Sequence, residues 1–292
     1  MSLPAVSIVI RSKNDVTLIG QCIQGILSQN YPSGIQRIHI DSGSTDGTVE
    51  IIKKSSPSQF LQIRAEDYIP GRVLNTGIKL CEEEWVVFLN SDATPIGQEW
   101  LADLLKAAMA QPHTGAAFGR QIPRPGCHAV FANDYQRCFG EQRESRHWPH
   151  FFSMVSSAVH RTAWLEHPFR EDLRYSEDEE WSFRIRNHGW LIAYAGDSVA
   201  MHSHNYTLAE VRKRNYGEGF ALAATPELNL KRTDLLRGVL LPCGRDAVKD
   251  LAYCLKMKQL HEWPHAVAVR VIQRLGKRRG FLDGLTQNRP AD

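Results

Sequence analysis

Residues 82–95 read EEEWVVFLNSDATP, and five consecutive apolar residues in this stretch end at Asn90-Ser91-Asp92. A short apolar run between charged and turn-forming residues is typical of a strand buried on both faces of a parallel sheet. Ligands of open α/β sheets bind beyond the carboxyl ends of the strands, so Asp92 is well placed to hold a cation or a ligand hydroxyl. The equal alternative is that Asp92 caps the helix predicted from about residue 98 to 110.

The same plan of strand, polar loop and helix occurs three more times in the first 118 residues. The predicted strands cover residues 6–10, a segment that ends near Ile40, and residues 60–67. Each is followed by helical periodicity. This alternation predicts right-handed βαβ units and therefore a mostly parallel α/β sheet flanked by helices.

The pattern changes after residue 118. Residues 119–150 are rich in Arg, Pro, Gly and His, and we expect a binding loop here, with Trp148 near its end. A helix is predicted over residues 178–188, and an extended segment follows it. Three helices are predicted in the C-terminal part, at about 208–223, 244–260 and 263–279.

Composition is that of a soluble protein with one or two cores, since 42% of the 292 residues are hydrophobic and 23% are charged. No apolar stretch approaches the roughly 18 residues of a membrane span, and the N-terminus leads directly into a strand pattern. The sequence therefore predicts a cytoplasmic protein. Its six cysteines form no CxxC pair, so we expect neither disulfides nor a cysteine-based zinc site.

Charge is distributed unevenly along the chain. Residues 205–292 contain 16 Lys and Arg against 9 Asp and Glu, a net +7, whereas the preceding residues contain 19 against 23, a net −4. A basic tail indicates an anionic partner. The chain lacks zinc-finger spacing and an aromatic RNP-type motif, which disfavours a nucleic acid and leaves an anionic membrane surface.

The basic amphipathic segment 265–285 has two equal interpretations. It is either a helix peripherally bound to the inner face of the cell membrane or a helix packed on the domain with a solvated basic edge.

The segment DSGSTDG, residues 41–47, follows the second predicted strand. Asp41 can accept hydrogen bonds from a base or a ribose, and Gly43 allows close approach of the backbone. The alternative is a well-capped tight loop.

Five segments in a fixed order, VSIVIRSKND, IDSGSTDGT, GRVLNTG, LNSDATP and YSEDEEW, resemble the inverting glycosyltransferases of glycosyltransferase family 2. This large family has the GT-A fold and includes bacterial polysaccharide glycosyltransferases. The resemblance covers residues 5–206, and the phrases GRQIPRP and HSHNY are most similar to rhamnosyltransferase-like members. It implies a GT-A domain over residues 1–206, with a nucleotide-binding half (1–118) and an acceptor-binding half (119–206), followed by a helical extension over 207–292.

The resemblance also implies an activity. A sugar would pass with inversion from a UDP- or dTDP-linked nucleoside diphosphate donor to a hydroxyl of a saccharide or lipid-linked saccharide, in cell-surface polysaccharide biosynthesis. The implied donor-binding residues are Arg11, Asp15, Asp41, Arg72, Asn75, Asn90, Ser91 and Asp92.

The NSD segment occupies the place of the family's Asp-x-Asp, which brings Mn²⁺ or Mg²⁺ to the diphosphate. Asp92 would supply a carboxylate ligand, with His202 and His204 as further ligands. The i, i+2 spacing puts both rings on one side of an extended segment, and imidazole favours manganese over magnesium. The alternative is a solvated or hydrogen-bonded pair of histidines.

In the SEDEEW segment, the resemblance assigns the catalytic base to Asp178, because an attacking alcohol must lose its proton as the new bond forms. The alternative is that the acidic run only stabilises a helix N-terminus. Acceptor contacts are implied for Glu177, Trp181 and Arg184, although Trp181 alternatively packs in the core.

Two competing functions are a sugar-1-phosphate nucleotidyltransferase and a non-catalytic protein that binds nucleotide sugars or membranes.

Overall fold

The computed structural model describes residues 2–140, 151–225 and 234–287. These residues fall into two units. The first comprises Met1–Ile122, Cys138–Asp172 and Glu177–His202, and the second comprises Pro123–Arg137, Leu173–Ser176 and Ser203–Asp292. The chain thus enters the second unit three times, whereas the sequence pattern indicated a single boundary at residue 206.

Eight strands among the described residues form one sheet. They are β1 Val6–Ser12, β2 Ile35–Asp41, β3 Gln59–Gln62, β4 Trp85–Asn90, β5 Thr94–Pro95, β6 Thr114–Ile122, β7 Ser156–His160 and β8 Leu191–Met201. Their order across the sheet is β3-β2-β1-β4-β7-β6-β8-β5. The first four strands in this order are parallel, and β7 runs antiparallel to both β4 and β6. The predicted α/β class with a mostly parallel sheet is confirmed.

The helices in chain order are α1 Ile19–Leu27, α2 Thr48–Lys54, α3 Pro70–Lys79, α4 Trp100–Ala108, α5 Ala129–Phe139, α6 Arg161–Glu166, α7 Glu177–Asn187, α8 Leu208–Ala223, α9 Leu241–Lys256 and α10 Trp263–Gln287. None of the helices in the described ranges is long and apolar enough to cross a membrane. The predicted binding loop over residues 119–150 is wrong in part, because the end of β6 and all of α5 lie within it. Residues 141–150, including Trp148, lie outside the described residues.

The core of the first unit forms where the sequence places its longest apolar runs. Val86, Val87 and Phe88 are consecutive in β4 and fully buried, so both faces of this strand are covered. Ile8 and Ile10 of β1 are equally inaccessible. This confirms the interpretation of β4 as a strand buried on both faces.

In the second unit, glycines bring α8 and α10 into close contact. A Cβ atom on Gly280 would lie 1.9 Å from the carbonyl oxygen of Tyr216, and one on Gly219 would lie 2.0 Å from the carbonyl oxygen of Lys277. Only glycine permits such an approach of two backbones. Val271 and Leu275 of α10 are still exposed. The packing of α10 on α8 therefore does not decide between the two interpretations of segment 265–285.

A buried ionic network joins the other helices of this unit. Arg270 of α10 donates to Asp250 of α9 at 2.7 and 2.9 Å and to Asp134 of α5 at 2.7 and 2.9 Å. Arg270 is 4% exposed, and Asn133 donates a further hydrogen bond to Asp250. The planar guanidinium can satisfy two carboxylates at once, which makes burial of these charges tolerable.

Removal of this guanidinium should destabilise the protein strongly. Arg270→Met leaves two carboxylates without their partner, and loss of one side of a buried pair typically costs about 3–5 kcal/mol. Urea unfolding measures the change in the free energy of unfolding. Arg279→Met is the matched control, because Arg279 is 72% exposed and pairs with Asp283 on the surface. We expect the control to be nearly silent, and equal effects of the two substitutions would contradict the assignment.

Candidate functional site

The carboxyl ends of β1, β2 and β4 lie side by side in the sheet. The register pairs Arg11 with Asn90 and Ser12 with Asp41. Arg11 Nη2 donates to Asn90 Oδ1 at 2.8 Å, and the Ser91 amide donates to the Arg11 carbonyl at 3.0 Å. The predicted donor-binding residues at these strand ends are therefore brought together at one edge.

Arg11 has hydrogen-bonding capacity that the described residues leave unused. Its Nε atom is buried and has no hydrogen-bond partner in the structure. The charge of Arg11 also acts on Asp178 and on Tyr68, lowering the pKa that each would otherwise have. Arg11, Tyr68 and Asp178 thus share one electrostatic environment.

Asp178 is the second residue of α7. Its Oδ1 atom accepts a hydrogen bond of 2.9 Å from the Glu179 amide. Burial, with the charges of Glu177 and Glu179, raises the pKa of Asp178 to about 7, and neither this hydrogen bond nor Arg11 offsets the rise. An acid with that pKa is well matched to proton transfer near neutral pH.

Asp92 lies just beyond β4, opposite a histidine that is held in a defined orientation. His202 Nε2 lies 3.4 Å from Asp92 Oδ2, and both side chains are largely buried. On its other side, His202 Nδ1 is 3.0 Å from Gln121 Oε1, while Gln121 Nε2 donates to Ser153. Because an amide oxygen only accepts, the Nδ1–H group of His202 donates to Gln121, and Nε2 is the ring nitrogen that faces Asp92.

This arrangement fits a divalent cation. A carboxylate and an imidazole nitrogen suit manganese and other transition metals, and a second-shell hydrogen bond to the far ring nitrogen is usual for metal-binding histidines. His204 belongs to the second unit, where its ring stacks on Tyr206 with centroids 4.9 Å apart. A metal-binding role for His204 stays a prediction from the sequence.

Comparison with known proteins identifies the family. The sequence profile of Glycosyl transferase family 2 matches residues 7–166, more than half of the chain. The chain belongs to glycosyltransferase family 2. This confirms the resemblance drawn from the five ordered segments, and the protein is accordingly a glycosyltransferase.

Two relatives act in O-antigen chains by their names. The O-antigen chain rhamnosyltransferase RfbN of Salmonella typhimurium is 26% identical over 233 residues, which cover 76% of this chain and 73% of RfbN. The O-antigen chain rhamnosyltransferase WbaN of Salmonella anatum is 28% identical over 208 residues, which cover 68% of this chain and 65% of WbaN.

Solved structures share the fold. The mannosyltransferase PcManGT from Pyrobaculum calidifontis, in complex with GDP-Man and Mn²⁺, has a TM-score of 0.64 at 17% identity, covering 97% of this chain and 88% of the other. TarS of S. aureus, residues 1–349 in complex with UDP-GlcNAc, has a TM-score of 0.56 at 15% identity, covering 97% and 92%. The likeness establishes the GT-A fold for this family 2 glycosyltransferase.

Asp15 is held close to Asp92 in this glycosyltransferase. Its carboxylate accepts hydrogen bonds from the Ser91 hydroxyl and from the Lys13 amide. Burial raises the pKa of Asp15, and the charge of Asp92 contributes to the rise. Asp15 is therefore a second carboxyl group at the strand edge, and a bound cation would relieve its repulsion from Asp92.

Asp41 and Asn75, both predicted to bind the donor, have internal roles in the structure. Asp41 is fully buried, and its oxygens accept from the Ser44 amide at 2.8 Å and from the Ser12 hydroxyl at 2.9 Å. This supports the alternative of a capped loop. The buried amide of Asn75 accepts from Trp164 at 2.8 Å and donates to the Phe169 carbonyl at 2.9 Å, so it stabilises the chain in place of the predicted donor contact.

Two of the residues predicted to contact the acceptor make contacts with buried parts of the protein. Trp181 is fully buried, donates to the His167 carbonyl at 2.6 Å and packs on Phe169, which supports its alternative as a core residue. Arg184 forms a bidentate pair with the buried Glu180 at 2.7 and 3.0 Å. Glu177 remains partly exposed beside Asp178.

Arg72 lines a cleft beyond the ends of β2 and β3. It is 51% exposed and lies 3.5 Å from Glu171. Sequence reasoning missed its neighbours in this cleft, which include Gln62, Arg64 and Asp67. The sequence pattern put all three inside the predicted strand 60–67, whereas β3 ends at Gln62. No local signal indicated Gln121, which lies 81 residues from His202.

The raised pKa of Asp178 predicts a change in the pH dependence of stability. A carboxyl group with a raised pKa contributes stability that is complete below its unfolded value of about 4 and is lost as the pH rises through about 7. The amide of Asp178→Asn does not titrate. The free energy of unfolding of the variant minus that of the wild type should therefore be larger at about pH 8 than at about pH 5, as urea unfolding measures.

Glu179→Gln is the control for loss of one negative charge from the same run. An Asp178→Asn difference that is the same at both pH values, or no larger than that of the control, would show that Asp178 ionises as an ordinary carboxyl.

Proposed function

We propose that this protein transfers a sugar, with inversion, from a UDP- or dTDP-linked donor to a hydroxyl of a saccharide or lipid-linked saccharide acceptor. The observation that carries the proposal is Asp178, a partly buried carboxyl with a pKa of about 7 that shares the electrostatic environment of Arg11 at the end of β1. The names of RfbN and WbaN support a role in cell-surface polysaccharide biosynthesis, with rhamnose among the candidate sugars.

The donor site is proposed at the edge formed by β1, β2 and β4. The cleft beside Arg72 would take the base and ribose, while the partly exposed Arg11 would bring its positive charge to the diphosphate. Asp41 acts here by shaping the loop that follows β2, since its carboxylate is already engaged.

Asp92 and His202 would hold Mn²⁺ or Mg²⁺ next to the diphosphate, and the imidazole favours manganese. We retain His204 as a further ligand on the basis of its spacing from His202. When bound, the cation neutralises charge on the leaving nucleoside diphosphate. Gln121 keeps the ring of His202 oriented for that role.

Asp178 would serve the opposite side of the reacting carbon. As the acceptor oxygen bonds to the anomeric carbon, the bond from that carbon to the diphosphate oxygen breaks, and the proton of the acceptor hydroxyl passes to Asp178. One displacement of this kind inverts the configuration. Glu177 is exposed enough to contact the acceptor.

A lipid-linked acceptor would place the reaction at the inner face of the cell membrane, in keeping with the cytoplasmic location predicted from the sequence. The family assignment favours sugar transfer over nucleotidyl transfer. A non-catalytic binding protein would have no use for a basic carboxyl at position 178, and the following experiment separates the two.

Asp178→Asn should abolish most of the transfer without loss of donor binding. The amide has nearly the size of the carboxyl group but cannot take the proton, and loss of a general base typically lowers the rate by about 10²–10⁴-fold. Turnover of a nucleotide-sugar donor and titration of the corresponding nucleoside diphosphate measure the two effects. Glu179→Gln, in the same run of acids, should be nearly silent.

Full activity of Asp178→Asn, or a larger loss in Glu179→Gln, would place the base elsewhere. Loss of donor binding together with activity would give Asp178 a structural role.

A further inference from the structure

The segment from Leu235 to Met257 in the second unit carries large apolar side chains on its exposed side. A helix on a globular protein normally turns its apolar residues inward. Here Val239, Cys243 and Cys254 are buried, but five large apolar side chains are between 55% and 66% exposed; they are Leu236, Leu240, Leu241, Val248 and Leu255, and together they form the docking face. Leu236 and Leu240 lie in a π-helical turn, Leu236–Leu240, that leads directly into α9. Val248 lies two turns farther along the same side, and Gly244, which has no polar side chain, lies between Leu240 and Val248.

The inward side of the same helix is acidic. Asp246 and Asp250 are buried, and they pair with Arg274 at 2.5 Å and with Arg270 at 2.7 Å. These contacts fix the orientation of α9, because rotating it would leave buried arginines without carboxylates. The outward position of the leucines is therefore enforced by the ionic network.

The docking face is surrounded by positive charge. Between residues 236 and 258, which are all described, both acidic residues are buried, and the five basic residues are exposed. These are Arg237, Arg245, Lys249, Lys256 and Lys258. The surface therefore combines exposed apolar side chains with five cations, and Asp234, two residues before Leu236, is the one exposed acidic residue between residues 234 and 258.

We propose that the docking face binds the surface of an anionic lipid bilayer. The leucines would enter the boundary between headgroups and acyl chains, while the lysines and arginines contact the anionic headgroups. A second copy of this chain fits less well, because it would bring two cationic surfaces together. The two components of the face, apolar and cationic, match the two components of such a membrane.

This inference is independent of the donor site and of the proposed sugar transfer. It also places the membrane contact outside the basic segment 265–285, for which the sequence left membrane binding and packing on the domain as equal interpretations. In α10 the basic Arg270 and Arg274 are engaged with Asp250 and Asp246. In α9 the exposed bases surround the exposed leucines.

Co-sedimentation of the full chain with vesicles tests the proposal. The vesicles contain phosphatidylcholine with about 30 mol% phosphatidylglycerol, or phosphatidylcholine alone. We expect the wild type to bind the anionic vesicles at least about tenfold more tightly than the neutral ones. The triple variant Leu236→Gln, Leu240→Gln, Val248→Gln should lose at least about tenfold of that binding.

A matched triple, Leu27→Gln, Leu165→Gln, Leu191→Gln, removes exposed apolar side chains from the first unit and should retain binding. Two double variants of equal net charge make the same comparison for the basic residues. Lys249→Glu, Lys256→Glu should weaken vesicle binding, whereas Lys54→Glu, Lys79→Glu in the first unit should weaken it far less. Unchanged thermal unfolding of each variant verifies that the fold is intact.

Equal vesicle binding by the two triple variants would overturn the proposal. A wild-type dimer in solution would also overturn it, if the Leu236, Leu240, Val248 triple converted that dimer to a monomer without changing vesicle binding. A second copy of the chain would then cover the docking face.

Discussion

Strands β1, β2 and β4 end at the same position along the sheet, and the rest of the site depends on this alignment. Parallel pairing sets Arg11 beside Asn90 and Ser12 beside Asp41, so the loops that follow these strands leave the sheet at the same edge. A slip of one residue would turn alternate side chains to the other face and remove Arg11 from Asn90. Such a slip would also move the buried side chains of β1 and β4 out of their close-packed positions, so the core supports the geometry of the site.

The carboxylates of this protein fall into two groups, those that pair with an arginine and those that do not. Glu180, Asp246 and Asp250 are buried and paired with arginines, and these pairs hold helices in place. Asp178 is placed among other acids, and the Glu179 amide does not offset its desolvation; its pKa rises as a result. Asp92 has an imidazole beside it whose far nitrogen is already bound. Asp178, whose desolvation is not offset, and Asp92, which faces an imidazole in place of an arginine, are the carboxylates that we propose for chemistry.

The sequence predicted the parts of the fold that local periodicity controls. Strands β1, β2 and β4 and helix α4 lie within a few residues of their predicted positions, because apolar runs and turn residues define them. Strand β7 and helix α5 were missed, since β7 reads SSAVH and α5 follows a Pro- and Gly-rich segment. Local pattern also cannot reveal that Asn75 is engaged 89 residues away by Trp164, or that Gln121 orients His202. Such roles arise only from tertiary contacts.

The central claim is that Asp92, at the end of β4, brings a cation to the diphosphate of the donor. Titration calorimetry of UDP and dTDP, with manganese and with a chelator, tests it most directly. The account predicts tighter binding with manganese for at least one nucleotide, and loss of most of this gain in Asp92→Asn and in His202→Gln. Equal affinity with manganese and with chelator, or a manganese effect that survives Asp92→Asn, would contradict it.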